Sequence, residues 1–143
     1  MSNREYPDNP RVGVGAVVIK NEKVLLVRRG VAPSKDLWAI PGGVLELGET
    51  LQQGAEREML EETGVTIRAK EPIYAFDFIE KDAAGLIHFH YVVVDLLADY
   101  ISGEAAGDDD AVEARWLSQP ELNDLNVAQN TLRLLRAIHF IRE

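Results

Sequence analysis

A chain of 143 residues, 46% apolar and 27% charged, has the balance of one globular domain, since single cores commonly run to about 100–200 residues. No apolar run approaches the roughly 18–20 residues that cross a bilayer, and Met1–Pro10 carries no signal-peptide core, so no membrane role and a cytoplasmic protein are expected. A net charge of −9 argues against nucleic-acid binding, and zero cysteines exclude disulfides and thiolate metal sites, leaving hard, oxygen-loving cations as the natural metal partners.

In chain order, a flexible segment is expected over residues 1–10, followed by a single domain over 11–143. Arg11–Lys20 and Lys23–Arg29 are β-branched and apolar, split by Asn21-Glu22, and predict a hairpin with a tight turn. Leu37–Ile40 reads as a short strand stopped by Pro41-Gly42-Gly43, where the backbone must turn. Thr50-Leu51-Gln52-Gln53 has the form of a capping box and opens a helix to Thr63, with Gly64 at its end. Val65–Ala69, Ile73–Glu80 and Leu86–Leu97 predict strands, the last two joined by a turn at Asp82–Gly85. Ser102–Asp110 is a small, acidic loop before a strand at Val112–Leu117. Ser118-x-x-Glu121 caps a short helical turn, and Val127–Ile141 carries apolar residues at helical spacing. The order predicts an α/β sandwich, a mixed sheet with helices on both faces.

Between Glu46 and Ile67 six acids accompany one base, Arg57. An acid pair at i and i+4, such as Glu58 and Glu62, costs about 0.2–0.5 kcal/mol in an isolated helix, so helix stability does not explain the pattern. At about 100° per residue, Leu51, Ala55 and Met59 form the apolar stripe, and Glu58 and Glu62 lie on or beside it. Carboxylates brought to a packed side need cationic partners or a metal ion. Several carboxylate oxygens on one helical face suit Mg²⁺ or Mn²⁺, which keep waters for a phosphate to displace.

The stretch Gly43–Val65, GVLELGETLQQGAEREMLEETGV, resembles the Nudix box at every specified position: Gly43, Glu49, Arg57-Glu58, the apolar Met59, Glu61-Glu62, Gly64 and the apolar Val65. Trp38–Gly42 is similar to the family's usual approach to the box, and Glu113-x-x-Trp116-Leu117 agrees more loosely. The resemblance, to short bacterial ADP-ribose pyrophosphatase-like members, implies a Nudix α/β/α sandwich and a Mg²⁺- or Mn²⁺-dependent hydrolase. Its substrate would be a small nucleoside diphosphate linked to another moiety, and the family's common habit is a homodimer. Carried over residue by residue, it makes Glu58, Glu61, Glu62 and the Gly42 carbonyl metal ligands. Arg57 would hold Glu49 by a bidentate ion pair, and Glu58 or Glu61 would be the general base. Members also draw an acid from a loop downstream of the box; Asp108, Asp109, Asp110 and Glu113 lie there, with Asp110 the first choice as extra ligand or base.

For the rest of the substrate, Trp38, Tyr74, Phe76, Phe78, His88 and His90 could line a pocket, although the same alternation builds an ordinary core. Arg28 and Arg29 end a strand before the Pro-Gly-Gly loop and could reach a phosphate. The proline that marks one ADP-ribose group about fifteen residues after the box is absent, Glu80 and Lys81 occupying that region. ADP-ribose or a similar nucleotide sugar is the reading toward which the resemblance leans. The alternatives are pyrophosphate release from an (oxidised) nucleoside triphosphate, and a sensor that binds nucleotide without turnover.

Overall fold

The hairpin that opens the chain is set by two residues. In the computed structural model, which describes residues 4–142, Asn21 and Glu22 both take left-handed backbone angles (φ 52° and 62°), the turn that matches the twist of the strands beside it. Those strands are β1 (Arg11–Lys20) and β2 (Lys23–Arg29). There follow β3 (Trp38–Ala39), β4 (Gly42–Val44), α1 (Leu51–Thr63), β5 (Thr66–Lys81), β6 (Ile87–Ser102), β7 (Ala111–Leu117), α2 (Gln119–Leu122) and α3 (Gln129–Ala137).

The strands join in the order β3-β2-β1-β6-β5, with β4 added to β1 and β7 to β2. β1 and β6 run parallel, from Arg11 opposite Tyr91 to Val18 opposite Ala98, while the other pairs are antiparallel, so the sheet is mixed. Side chains alternate between its faces. Ala16 and Val18 of β1 with Leu25 and Val27 of β2 pack toward Ala55 and Met59 of α1. Val17, Val24, Leu26 and Leu117 pack instead with Leu122 of α2 and Leu134 and Leu135 of α3. Helices therefore cover both faces, as expected. β1 pairs with β2 only near Ile19–Val24 and Lys20–Lys23, and its earlier half pairs with β4 through Gly13–Val44 and Gly15–Gly42. No helix among the described residues is long and apolar enough to cross a membrane.

The helix that carries the acids is fastened at both ends. Thr50 Oγ1 accepts from the Gln53 N–H at 3.1 Å and Gln53 Oε1 accepts from the Thr50 N–H at 2.9 Å, the reciprocal cap read from the sequence. Gly64, at φ 75°, closes the other end by donating its N–H to Leu60.

Three expectations need correction. Pro41-Gly42-Gly43 does not merely break the chain: Gly42–Val44 is a strand, pressed so close to β1 that a Cβ on Gly42 would lie 2.2 Å from the Val14 carbonyl. The separate strands at Val65–Ala69 and Ile73–Glu80 are one continuous edge strand, β5, and the interruption survives as register shifts around Pro72; an edge tolerates a residue without an N–H. The last helix is shorter than Val127–Ile141 because Asn126 and Ala128 are bonded to the backbone of Trp38, and it ends at Ala137. Of the segment 1–10, residues 1–3 lie outside the described residues. Within it the Tyr6 N–H donates to the His88 carbonyl at 2.8 Å, and Arg4 is paired with Asp110.

Candidate active site

α1 and the β4 loop bring the acids around a single guanidinium. Arg57 Nε and Nη2 donate to the two oxygens of Glu49 at 2.7 and 2.9 Å, a bidentate fork. Nη2 also donates to the Val44 carbonyl at 3.0 Å, and Nη1 donates to Glu58 at 2.6 Å and Glu61 at 3.4 Å. Glu46 stands 3.6 Å from Nε. The cation wins on Glu49, whose carboxyl it holds below the usual range. On Glu58 burial wins over the guanidinium and raises the carboxyl. Arg57 itself is pushed up by its bond to Glu49, and next by Glu58.

Glu62 has a different setting. Its side chain is buried, 4% exposed, and accepts the Gly42 N–H at 3.0 Å, but burial outweighs that bond and pushes the carboxyl up to about 8. Gly43 lies against Glu58 so tightly that a Cβ would stand 2.3 Å from its carboxyl carbon. These oxygen donors, three carboxylates of one helix beside a glycine loop, are the kind that Mg²⁺ or Mn²⁺ takes. A cation there would also relieve the burial of Glu58 and Glu62. Among the described residues no three ligating side chains already converge: Arg57 draws Glu58 and Glu61 to itself, and Gly42 draws Glu62.

Beside this acidic edge opens a cavity of about 370 Å³, within the size range of small-ligand sites. Gly42, Gly43 and Glu62 form one border. Arg29 and Arg4 bring two guanidiniums to it; Arg29 Nε donates to the Pro33 carbonyl at 2.7 Å, and burial lowers the affinity of Arg29 for its proton. The far wall is apolar, with Phe76 and Phe78 of β5 facing Val93 and Tyr91 of β6 in register.

Of the residues singled out from sequence, Gly42, Glu62, Arg29, Phe76, Phe78 and Asp110 line the cavity. Glu49, Arg57, Glu58 and Glu61 gather next to it, and Asp110 is tied to Arg4. The others fall elsewhere. Trp38 is core, 4% exposed and packed with Leu134 and Leu135; its neighbour Ala39 faces the cavity instead. Arg28 points away from its neighbour Arg29 and pairs with Glu113 at 3.0 Å and Asp36 at 3.4 Å. His90 lies on the sheet face opposite Tyr91, and His88 stacks on Tyr6. Tyr74 joins the core beside α3. Sequence reasoning missed Arg4, Tyr91, Val93, Asp95 and the start of α3 at Gln129 and Asn130, all of which line the cavity. For Asp95 a signal was there, a lone acid in the apolar run Tyr91–Ala98 of a strand paired on both sides.

A family model described as the NUDIX domain matches residues 9–138. An ADP-ribose pyrophosphatase of Methanocaldococcus jannaschii is 34% identical over 117 residues, 82% of this chain and 65% of that protein; the chain thus spans just under two thirds of that relative's length. The phosphatase NudJ of Escherichia coli is 32% identical over 113 residues, 79% of this chain and 71% of that protein. Among solved structures, a MutT NUDIX hydrolase from Burkholderia pseudomallei is similar with a TM-score of 0.78 at 30% identity, covering 92% of this chain and 99% of that one.

Proposed function

The chain belongs to the NUDIX hydrolase family, and from that premise we propose that it hydrolyses the pyrophosphate bond of a nucleoside diphosphate linked to a sugar, ADP-ribose or a close analogue, with Mg²⁺ or Mn²⁺. The observation that carries the reading is the continuity of one cavity from the carboxylate edge at Glu62 and Gly42, past Arg29 and Arg4, to the aromatic wall of Phe76, Phe78 and Tyr91. Acids, then cations, then apolar rings is the order in which a metal-bound diphosphate and its base would need them. The archaeal relative that carries the name ADP-ribose pyrophosphatase supports the choice of substrate.

Glu58, Glu61 and Glu62 with the Gly42 carbonyl would hold the divalent ion, which when bound supplies positive charge to the diphosphate. Arg57, clamped on Glu49, fixes Glu58 on the side facing the loop. Arg29 and Arg4 orient the phosphate oxygens. Glu58, held at the loop by Arg57, takes the proton of the attacking water. The water oxygen bonds to one phosphorus, the bridging P–O bond breaks, and ADP-ribose becomes AMP and ribose 5-phosphate.

The test is product identification after incubation with Mg²⁺ and a panel of ADP-ribose, dinucleotides and nucleoside triphosphates. AMP and ribose 5-phosphate are expected from ADP-ribose. Glu61→Gln or Glu62→Gln should lower kcat by roughly 10²–10⁴-fold with the fold retained. Pyrophosphate released from triphosphates, with ADP-ribose untouched, would overturn the substrate assignment, and full activity in both variants would remove the roles given to those acids.

A further inference from the structure

Pyrophosphate chemistry leaves Asp95 without a task. Its side chain is 4% exposed, on a strand flanked by β1 and β5. It makes no hydrogen bond or ion pair with any described residue, burial being the one influence on its carboxyl. No fully buried side-chain oxygen among the described residues lacks a hydrogen bond, so the oxygens of Asp95 open onto the cavity that it lines, where only solvent or a ligand can serve them. Phe76 and Tyr91, Val93 and Phe78 could all be explained as packing, but a bare acid among them could not.

Its place in the sheet is defined by register. Gly42, Gly15, Asp95 and Tyr74 form one row across β4, β1, β6 and β5. The next row is Val44, Gly13, Val93 and Phe76, and beyond it Tyr91 faces Phe78. Asp95 thus stands two strands from Gly42, about 9–10 Å away, and the residues between, Gly13 and Gly15, have no side chains to fill the floor. A Cβ on Gly15 would lie 2.5 Å from Asp95 Oδ1, so the carboxylate occupies space that glycine leaves open. The span separates a phosphate at the acidic edge from a group lying against Val93 and Phe76.

We propose that Asp95 reads the base of the substrate, its carboxylate accepting hydrogen bonds from the N–H donors of an amino-bearing purine whose ring lies on the Phe76 and Tyr91 wall. This rests on the cavity being the nucleotide site proposed above. The shared chemistry is a purine edge that presents an exocyclic amino group; adenine is the member that goes with ADP-ribose, and guanine is the other source of the same donors. A purine with a hydrogen in place of the amino group leaves the acid unsatisfied.

The test measures calorimetric binding of four nucleotides that offer no pyrophosphate bond: AMP against purine riboside 5′-monophosphate, and GMP against IMP. Each pair differs by one amino group. The wild type should bind AMP roughly 10- to 100-fold more tightly than its amino-less counterpart, the value of a hydrogen bond to a charged group. A gap for GMP over IMP instead would assign the same role toward guanine. Asp95→Val should close the gap and raise the melting temperature, because a residue kept only for structure would not stabilise the fold when removed. Asp95→Asn, which keeps one acceptor oxygen, should retain part of the gap and decides the matter if the valine variant does not fold. Equal binding within both pairs, or a gap that survives Asp95→Val, overturns the inference. Hydrolysis of ADP-ribose is scored separately: turnover without an amino preference sinks the role of Asp95 alone, whereas an Asp95-dependent preference without turnover sinks the hydrolytic reading alone.

Discussion

The acids around Arg57 and the lone Asp95 stand on different sides of the same cavity, reached by Glu62 on one and Asp95 on the other, and are treated in opposite ways. On α1 and the loop before it each of these carboxylates has a donor: Glu49, Glu58 and Glu61 share Arg57, and Glu62 takes the Gly42 N–H. On β6 Asp95 has none among the described residues. The helical acids form a local network, held by partners at most twenty residues away in sequence. Asp95 loses most of its solvent to strands that meet only in the folded sheet. The first arrangement keeps several charges together so that a cation can use them; the second keeps one acceptor vacant so that a ligand must fill it.

The largest effect should come from removing the counter-ion of the helical group. Arg57→Ala leaves Glu49, Glu58 and Glu61 facing one another without the guanidinium that now bridges them. Its side chain is 22% exposed, which places the loss toward the lower end of the range for a broken buried pair, about 3 kcal/mol. Activity should fall by about 10³-fold in steady-state assays, beyond what partial unfolding explains. Arg57→Lys keeps the charge but not the fork and should recover stability more than activity. An alanine variant of wild-type kcat would break the comparison at its first half.

pH separates the two groups next. Glu62, pushed by burial from 4.5 to about 8, and Asp95, from 3.8 to about 7, both bind protons more tightly folded than unfolded. The folded state therefore holds the extra protons between roughly pH 4 and 8, and stability falls as pH rises through that window. Melting of the metal-free protein should decline from pH 5 to pH 8. Glu62→Gln and Asp95→Val should each flatten part of the slope. Mg²⁺ should remove the part that belongs to Glu62, since a cation favours its ionised form, and leave the part that belongs to Asp95. A slope that vanishes entirely on adding Mg²⁺ would mean that the two acids are one site.

The same contrast decides what the sequence could reveal. The box residues sit on one helix and the loop before it, so spacing alone places Glu58, Glu61 and Glu62 on a shared side, while the pairing of Arg57 with Glu49 was implied only by the family resemblance. The layered α/β order was equally legible, because each long strand and α1 carries its own period. Trp38 and His90 were misplaced toward the pocket because one step along a strand reverses the direction of a side chain, and only the pairing fixes which face the cavity takes. Tyr91 and Arg4 depend on the parallel pairing of β1 with β6 and on the path of the N-terminal segment, neither of which has a local signal. Pro72 misled in the other direction: it marked a break that an edge strand absorbs.

A smaller effect should follow from Gly43→Ala. The added Cβ would meet the carboxyl group of Glu58 at 2.3 Å, the end of a flexible side chain, which can swing aside with little loss of stability. Swinging aside removes Glu58 from Nη1 of Arg57 and from the loop. A roughly tenfold loss in kcat is expected with the melting temperature nearly unchanged. Loss of fold in this variant would show the glycine to be a structural requirement of β4 rather than a clearance for the acid.

The smallest effect belongs at the far end of the same helix. Thr50 caps α1 by accepting the Gln53 N–H, and Thr50→Ala removes that acceptor, at a cost of about 1 kcal/mol. The Gln53 side chain still accepts the Thr50 backbone N–H, so half of the reciprocal cap survives. α1 stays anchored by Ala55 and Met59 in the core and by Gly64 at its other end, so the acids in its last two turns should not move. Chemical denaturation should therefore register the loss while kcat and KM stay within about twofold. If kcat falls together with stability, the helix transmits its N-terminal fraying to the carboxylates, and their arrangement depends on the whole of α1 rather than on the local network around Arg57.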